Sequence, residues 1–152
     1  MTLKLRKPQG ERKMGLTHVA VRILNSDSTE TFNADFLVDT GAMDSMAPGS
    51  ELKKIGIHPV GKGTYELASG ELFDYEYGLA EMRFMDEVVA THIVFGPDDT
   101  QPLLGVIALE SAGFIVDPTS QRLIKLRARP LKQVAPAEII LAGTSVSAIN
   151  CQ

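Results

Sequence analysis

The chain has 152 residues, 44% apolar and 22% charged, with 13 glycines, 8 prolines and no tryptophan, which is enough for one domain with its own core and favours strands and turns. A net charge of −4 offers no basic field to nucleic acid or to an acidic membrane surface. The single cysteine, Cys151, excludes an internal disulfide and fits a reducing, cytoplasmic compartment, while three scattered histidines without cysteine partners exclude a zinc pattern.

Residues 1–15 are charged, contain Pro and Gly, and read as a flexible leader with no signal-peptide character. From Leu16 to Leu24 apolar and polar residues alternate, with Val19, Val21 and Ile23 on one face, which predicts a strand. The cluster Asn25–Thr29 is a turn, and a second strand, Thr31–Val38, completes an antiparallel hairpin. After Met43–Pro48 a short helix is expected near Ser50, with Ser50 as its cap and Gly56 at its left-handed end.

Thr64–Ala68 and Leu72–Phe84 flank a Ser69-Gly70 turn and predict a second hairpin, in which Phe73, Tyr75, Tyr77 and Leu79 share a face. At least one of these aromatics is expected in the core. Val88–Phe95 is a further strand, closed by Gly96-Pro97-Asp98-Asp99. Leu103-Leu104-Gly105 leads into a helical stretch, Ala108–Ala112, stopped by Gly113; Phe114–Val116, the Asp117–Ser120 turn and Arg122–Leu126 follow. The pattern is an all-β, barrel-like domain over residues 16–130 with one or two short helices. Residues 131–152 form a tail whose role the pattern does not assign, and its apolar stretch is too short and polar to span a bilayer.

The run FLVDTGA, residues 36–42, places a carboxylate at the end of an apolar strand, where it is costly unless satisfied. Asp-Thr-Gly is good turn chemistry, and Asp39 is readable as no more than that. A second reading is catalytic. Hydrolysis of a peptide bond needs both a base and a proton donor, and two close carboxylates sharing one proton supply both. Gly41 and Ala42 would then allow a close backbone approach. One Asp-Thr-Gly per chain means that the second carboxylate must come from another copy, which a twofold homodimer supplies. Asp44 and Asp117 read as solvated loop and turn residues, and His18 and His92 as structural.

Val38-Asp39-Thr40-Gly41-Ala42 followed by Leu103-Leu104-Gly105, with Ala68-Ser69-Gly70-Glu71 between them, resembles the retropepsin-like (retroviral-type) aspartic proteases, and the bacterial and cellular members more than the viral ones. The resemblance implies a retropepsin-like acid protease barrel acting as a twofold homodimer. It implies an aspartic endopeptidase in which Asp39 of each subunit forms the catalytic dyad. Thr40, Gly41, Ala42 and Gly105 would support the site, and Ala68, Ser69 and Gly70 would form the tip of a substrate-covering flap. It implies a peptide or protein substrate, no metal and no cofactor. Where viral members carry an acidic residue and an arginine that brace the dimer, this chain has Met43 and Val106, so an apolar contact replaces an ion pair. A non-catalytic dimeric peptide-binding or dimerisation module on the same fold is the alternative, and a protease that awaits processing or a partner is a third reading.

Overall fold

A computed structural model describes residues 17–129, 131, 140–141 and 144–145. The expected leader and most of the tail, including Cys151, lie outside the described residues.

The first hairpin joins β1 (His18–Leu24) to β2 (Thr31–Val38) in antiparallel register, with Val21 opposite Ala34. Strict alternation on β1 puts Val19, Val21 and Ile23 inside and His18, Ala20 and Arg22 outside. After the Asp39 loop comes β3 (Ser45–Pro48), a strand not expected from the sequence; four residues ending in proline show no readable period. Helix α1 (Gly49–Lys54) follows and buries Leu52. Ser50 is not its cap: the flanking residue is Pro48, and the Ser50 N–H is instead taken by the Asp98 carboxylate at 3.2 Å. Gly56, with φ of 82°, ends the helical turn as expected.

The second hairpin pairs β4 (Gly61–Glu66) with the long β5 (Leu72–Phe84), and β5 continues against β6 (Glu87–Gly96). The two residues that turn β5 into β6, Met85 and Asp86, both have positive φ, 50° and 64°. β7 (Leu103–Leu104) lies parallel to β2, and α2 (Val106–Ser111) starts directly after Gly105, two residues earlier than expected. β8 (Phe114–Val116) and β9 (Leu123–Lys125) form a separate small ladder, as do β10 (Ile140–Leu141) and β11 (Thr144–Ser145).

The main sheet runs β1-β2-β7-β3-β6-β5-β4, and β1 pairs with β5 as well as with β2, so the ladder returns on itself. Its interior is filled by Ile23, Phe36, Met82, Ile93 and Leu104, with Leu52 from α1 and Leu109 from α2 packed against them. Burying a large apolar side chain of this kind contributes about 1.5–3 kcal/mol. The aromatic face of β5 is a correction to the sequence reading. Gly78, Ala80, Met82 and Phe84 point inward, while Phe73 and Leu79 are exposed and Tyr75 and Tyr77 only half-buried. Alternation set the two faces correctly, but bulk did not decide which one went inside. No helix among the described residues is long and apolar enough to cross a membrane.

Candidate active site

Asp39 stands where β2 leaves the sheet. Its neighbours are held by an unusual density of backbone bonds from β7 and the start of α2. Leu37 N–H donates to the Pro102 carbonyl, Asp39 N–H to the Leu104 carbonyl at 3.1 Å, Val106 N–H to Ala42 and Ile107 N–H to Met43. The loop 39–44 is therefore fixed along its length by the segment 102–107.

Two small residues make this possible. A Cβ on Gly105 would lie 2.6 Å from the Met43 oxygen and from the Asp44 carbonyl carbon, so only glycine lets the two segments touch. The buried Gly105 N–H is satisfied by the Ser45 hydroxyl at 3.0 Å. Gly41 has the second role: its N–H donates to Asp39 Oδ1 at 2.9 Å, and a Cβ there would come within 3.2 Å of the same oxygen. The carboxylate is thus oriented by its own loop and remains half-exposed, with Thr40 and Gly41 beside it at the surface.

Asp44 is not a solvated loop residue. It is half-buried, and the Tyr65 hydroxyl of β4 donates to its Oδ2 at 3.0 Å. Burial, with the Asp44 carboxylate beside it, pushes the Tyr65 phenol up to about 12, so it stays a neutral donor. Sequence spacing gave no sign of this pair, since the two residues are separated by a strand, a helix and a turn. The signal was present only as a tyrosine on the same strand face as two glycines.

The hairpin tip is as expected in form: Leu67 N–H bonds Glu71, Gly70 N–H bonds Leu67, and Gly70 has φ of 83°. Ala68, Ser69 and Gly70 are exposed, and among the described residues none of them bonds to the Asp39 loop. Asp117 has the turn role expected of it, accepting from the Thr119 N–H and the Ser120 hydroxyl, which hold its carboxyl below its ordinary value. His92 stacks on Tyr77 with ring centroids 4.5 Å apart.

Among the described residues no cluster of His, Cys, Asp and Glu is arranged to hold a metal ion. A groove of about 660 Å³ runs beside Arg22, Asp35, Arg83 and Glu87 and includes no residue of the Asp39 loop. In the single chain Asp39 is half-exposed, and Met43 in its loop and Ile107 in α2 are exposed.

No family model matches the sequence, and no curated protein matches it. Solved structures similar to this chain include three protease or protease-like folds. The EIAV protease complexed with the inhibitor HBY-793 has a TM-score of 0.47 at 14% identity, over 65% of this chain and 89% of that one. The retroviral protease-like domain of Ddi1 from Leishmania major has 0.43 at 13%, over 74% and 90%. A retropepsin-like aspartic protease from Rickettsia conorii has 0.40 at 21%, over 69% and 87%. All three of these are retroviral or retropepsin-like proteases or protease-like domains.

Proposed function

We propose that the chain is an aspartic endopeptidase active as a twofold homodimer, with one Asp39 from each copy forming a shared dyad. The observation that carries this reading is the Asp39 loop itself. A half-exposed carboxylate is oriented by the Gly41 N–H and held on a backbone frame that Gly105 alone allows. A turn aspartate needs no such frame.

Two such carboxylates meeting at a twofold axis share one proton. The ionised member takes a proton from water as that water attacks the scissile carbonyl. The protonated member gives its proton to the carbonyl oxygen, and the resulting gem-diol collapses with protonation of the leaving amine. No covalent intermediate forms. The substrate binds extended, as a strand, beneath hairpin β4–β5 of each copy. Exposed Met43 and Ile107 beside the loop supply apolar surface for the partner copy, and Thr40 is exposed as well. A cleft completed by the second copy would account for the exposure of Asp39 in the single chain.

The test is cleavage of a peptide library between pH 4 and 7 by the purified protein and by Asp39→Asn. The parent is expected to cut internal bonds, best at acidic to mildly acidic pH, and the variant is expected to be inactive with unchanged thermal stability. Peptide binding without cleavage by either protein would instead favour the non-catalytic binding module. Equal cleavage by both would remove Asp39 from the chemistry.

A further inference from the structure

Hairpin β4–β5 is attached to the molecule at one end. Tyr77 is the first residue of β5 to pair with β6, so from Gly61 to Glu76 the two strands pair only with each other. The side-chain bonds within this segment are internal as well: the Thr64 hydroxyl donates to Asp74, and Ser69 bonds Glu71. Among the described residues one hydrogen bond leaves the segment for another element, and it is the bond from the Tyr65 hydroxyl to Asp44, in the same loop as Asp39.

The surroundings of Tyr65 are built for this reach. A Cβ on Gly63, two residues earlier on the same face, would come within 3.1 Å of the Tyr65 ring, so the glycine leaves the space in which the ring lies. Tyr75, opposite Gly63 on β5, packs against Tyr65 with centroids 6.2 Å apart, and Phe73 stacks on Tyr75 at the same distance. Ring contacts of this kind restrict the side chain to orientations that keep the hydroxyl near Asp44.

We propose that Tyr65 is a positioning residue: through Asp44 it ties the β4–β5 hairpin to the Asp39 loop, so that substrate meets a hairpin already in place. This rests on the protease reading for its effect on substrate, but the tie itself is a property of the free protein. A neutral donor on a carboxylate is a stronger bond than one between neutral groups. Among the described residues no hydrogen bond joins either group to the Asp39 carboxylate, so losing the bond acts on the geometry of binding and not on the chemical step.

The experiment uses the full chain and four variants: Tyr65→Phe, Asp44→Ala, the double variant Tyr65→Phe/Asp44→Ala, and Asp44→Asn, the last keeping an acceptor oxygen. Amide hydrogen exchange of Leu67 and Gly70 at the tip is measured beside peptide cleavage. Tyr65→Phe and Asp44→Ala are each expected to speed tip exchange roughly tenfold and to raise KM by a similar factor with kcat little changed, on the scale of one hydrogen bond to a charged group. The double variant is expected to be no worse than either, and Asp44→Asn is expected to restore most of both readouts. Tip exchange unchanged in Tyr65→Phe overturns the proposal, and so does a fall in KM, which would make the bond an obstacle to binding. If no protein cleaves peptide, the protease reading fails by itself, and the exchange measurement still decides whether Tyr65 ties the hairpin down.

Discussion

Gly105 lies so close to Asp44 that a Cβ added to it would stand 2.6 Å from the Asp44 carbonyl carbon. Backbone cannot move aside as a flexible side chain would. Gly105→Ala is therefore expected to push the 102–107 segment away from the Asp39 loop. Overpacking of this kind costs about 1–3 kcal/mol. Ser45→Ala acts at the same junction by another route, because it strips the buried Gly105 N–H of its acceptor at an expected cost of about 1–3 kcal/mol. Denaturant unfolding measures both. Unchanged stability in Gly105→Ala would mean that the two segments are not in contact.

The β5–β6 turn offers the opposite kind of change. Met85 and Asp86 both have positive φ, the geometry of a two-residue hairpin turn that asparagine and glycine adopt readily and methionine does not. Relief of left-handed strain at Asp86 is worth about 1–2 kcal/mol, offset by about 0.5–1 kcal/mol of added freedom in the unfolded chain. Asp86→Gly is expected to stabilise by about 1 kcal/mol, a rise in Tm of about 4 °C. Neither Met85 nor Asp86 takes part in the backbone bonds that hold the Asp39 loop, so peptide cleavage is expected to stay as it was.

That turn also shows what a sequence conceals. The break between β5 and β6 was legible from the two flanking runs, but Met-Asp carries no turn signal. β2 and β5 were legible to the residue because long alternating runs leave little freedom of phase. β3 was not, because Ser-Met-Ala-Pro is too short to have a phase and is a strand only by its pairing with β6 and β7. The Asp39 loop was legible as a motif. Its frame is half legible, since the resemblance marks Gly105 as support for the site while nothing in the sequence points to Ser45. Asp44 reads as a solvated loop residue because its partner, Tyr65, is brought to it by tertiary structure alone.

The Asp98 carboxylate accepts the Ser50 N–H in the first turn of α1, and the Ser50 groups beside it hold it below its ordinary 3.8. A carboxylate whose folded value is depressed stabilises the fold above its unfolded value, and that contribution is lost as pH falls through the folded one. Asp98→Ala is therefore expected to lower Tm at pH 6–7, with the gap to the parent closing as pH drops below 3.8. Thermal scans of both proteins across pH 2–7 check this. A gap that stays constant with pH would mean that the effect of the substitution is not electrostatic.

Met43 is 67% exposed and Ile107 39% exposed, and the Ile107 N–H bonds the Met43 carbonyl, so two exposed apolar residues adjoin where α2 meets the Asp39 loop. If a second copy covers them, a charge placed there is desolvated without a partner, which is far more costly than the same charge in water. Met43→Glu is expected to weaken the dimer by roughly a hundredfold, on the scale of the about 3 kcal/mol that an unpaired buried charge costs. The folded monomer should lose nothing, since its Met43 is already in water. Sedimentation velocity over a concentration series reads the first effect and a thermal scan the second. Cleavage should follow the dimer, so below the dissociation constant the parent's rate is expected to rise with the square of protein concentration. A single monomeric species in both proteins, with a rate linear in concentration, would count against a dyad made from two copies of Asp39.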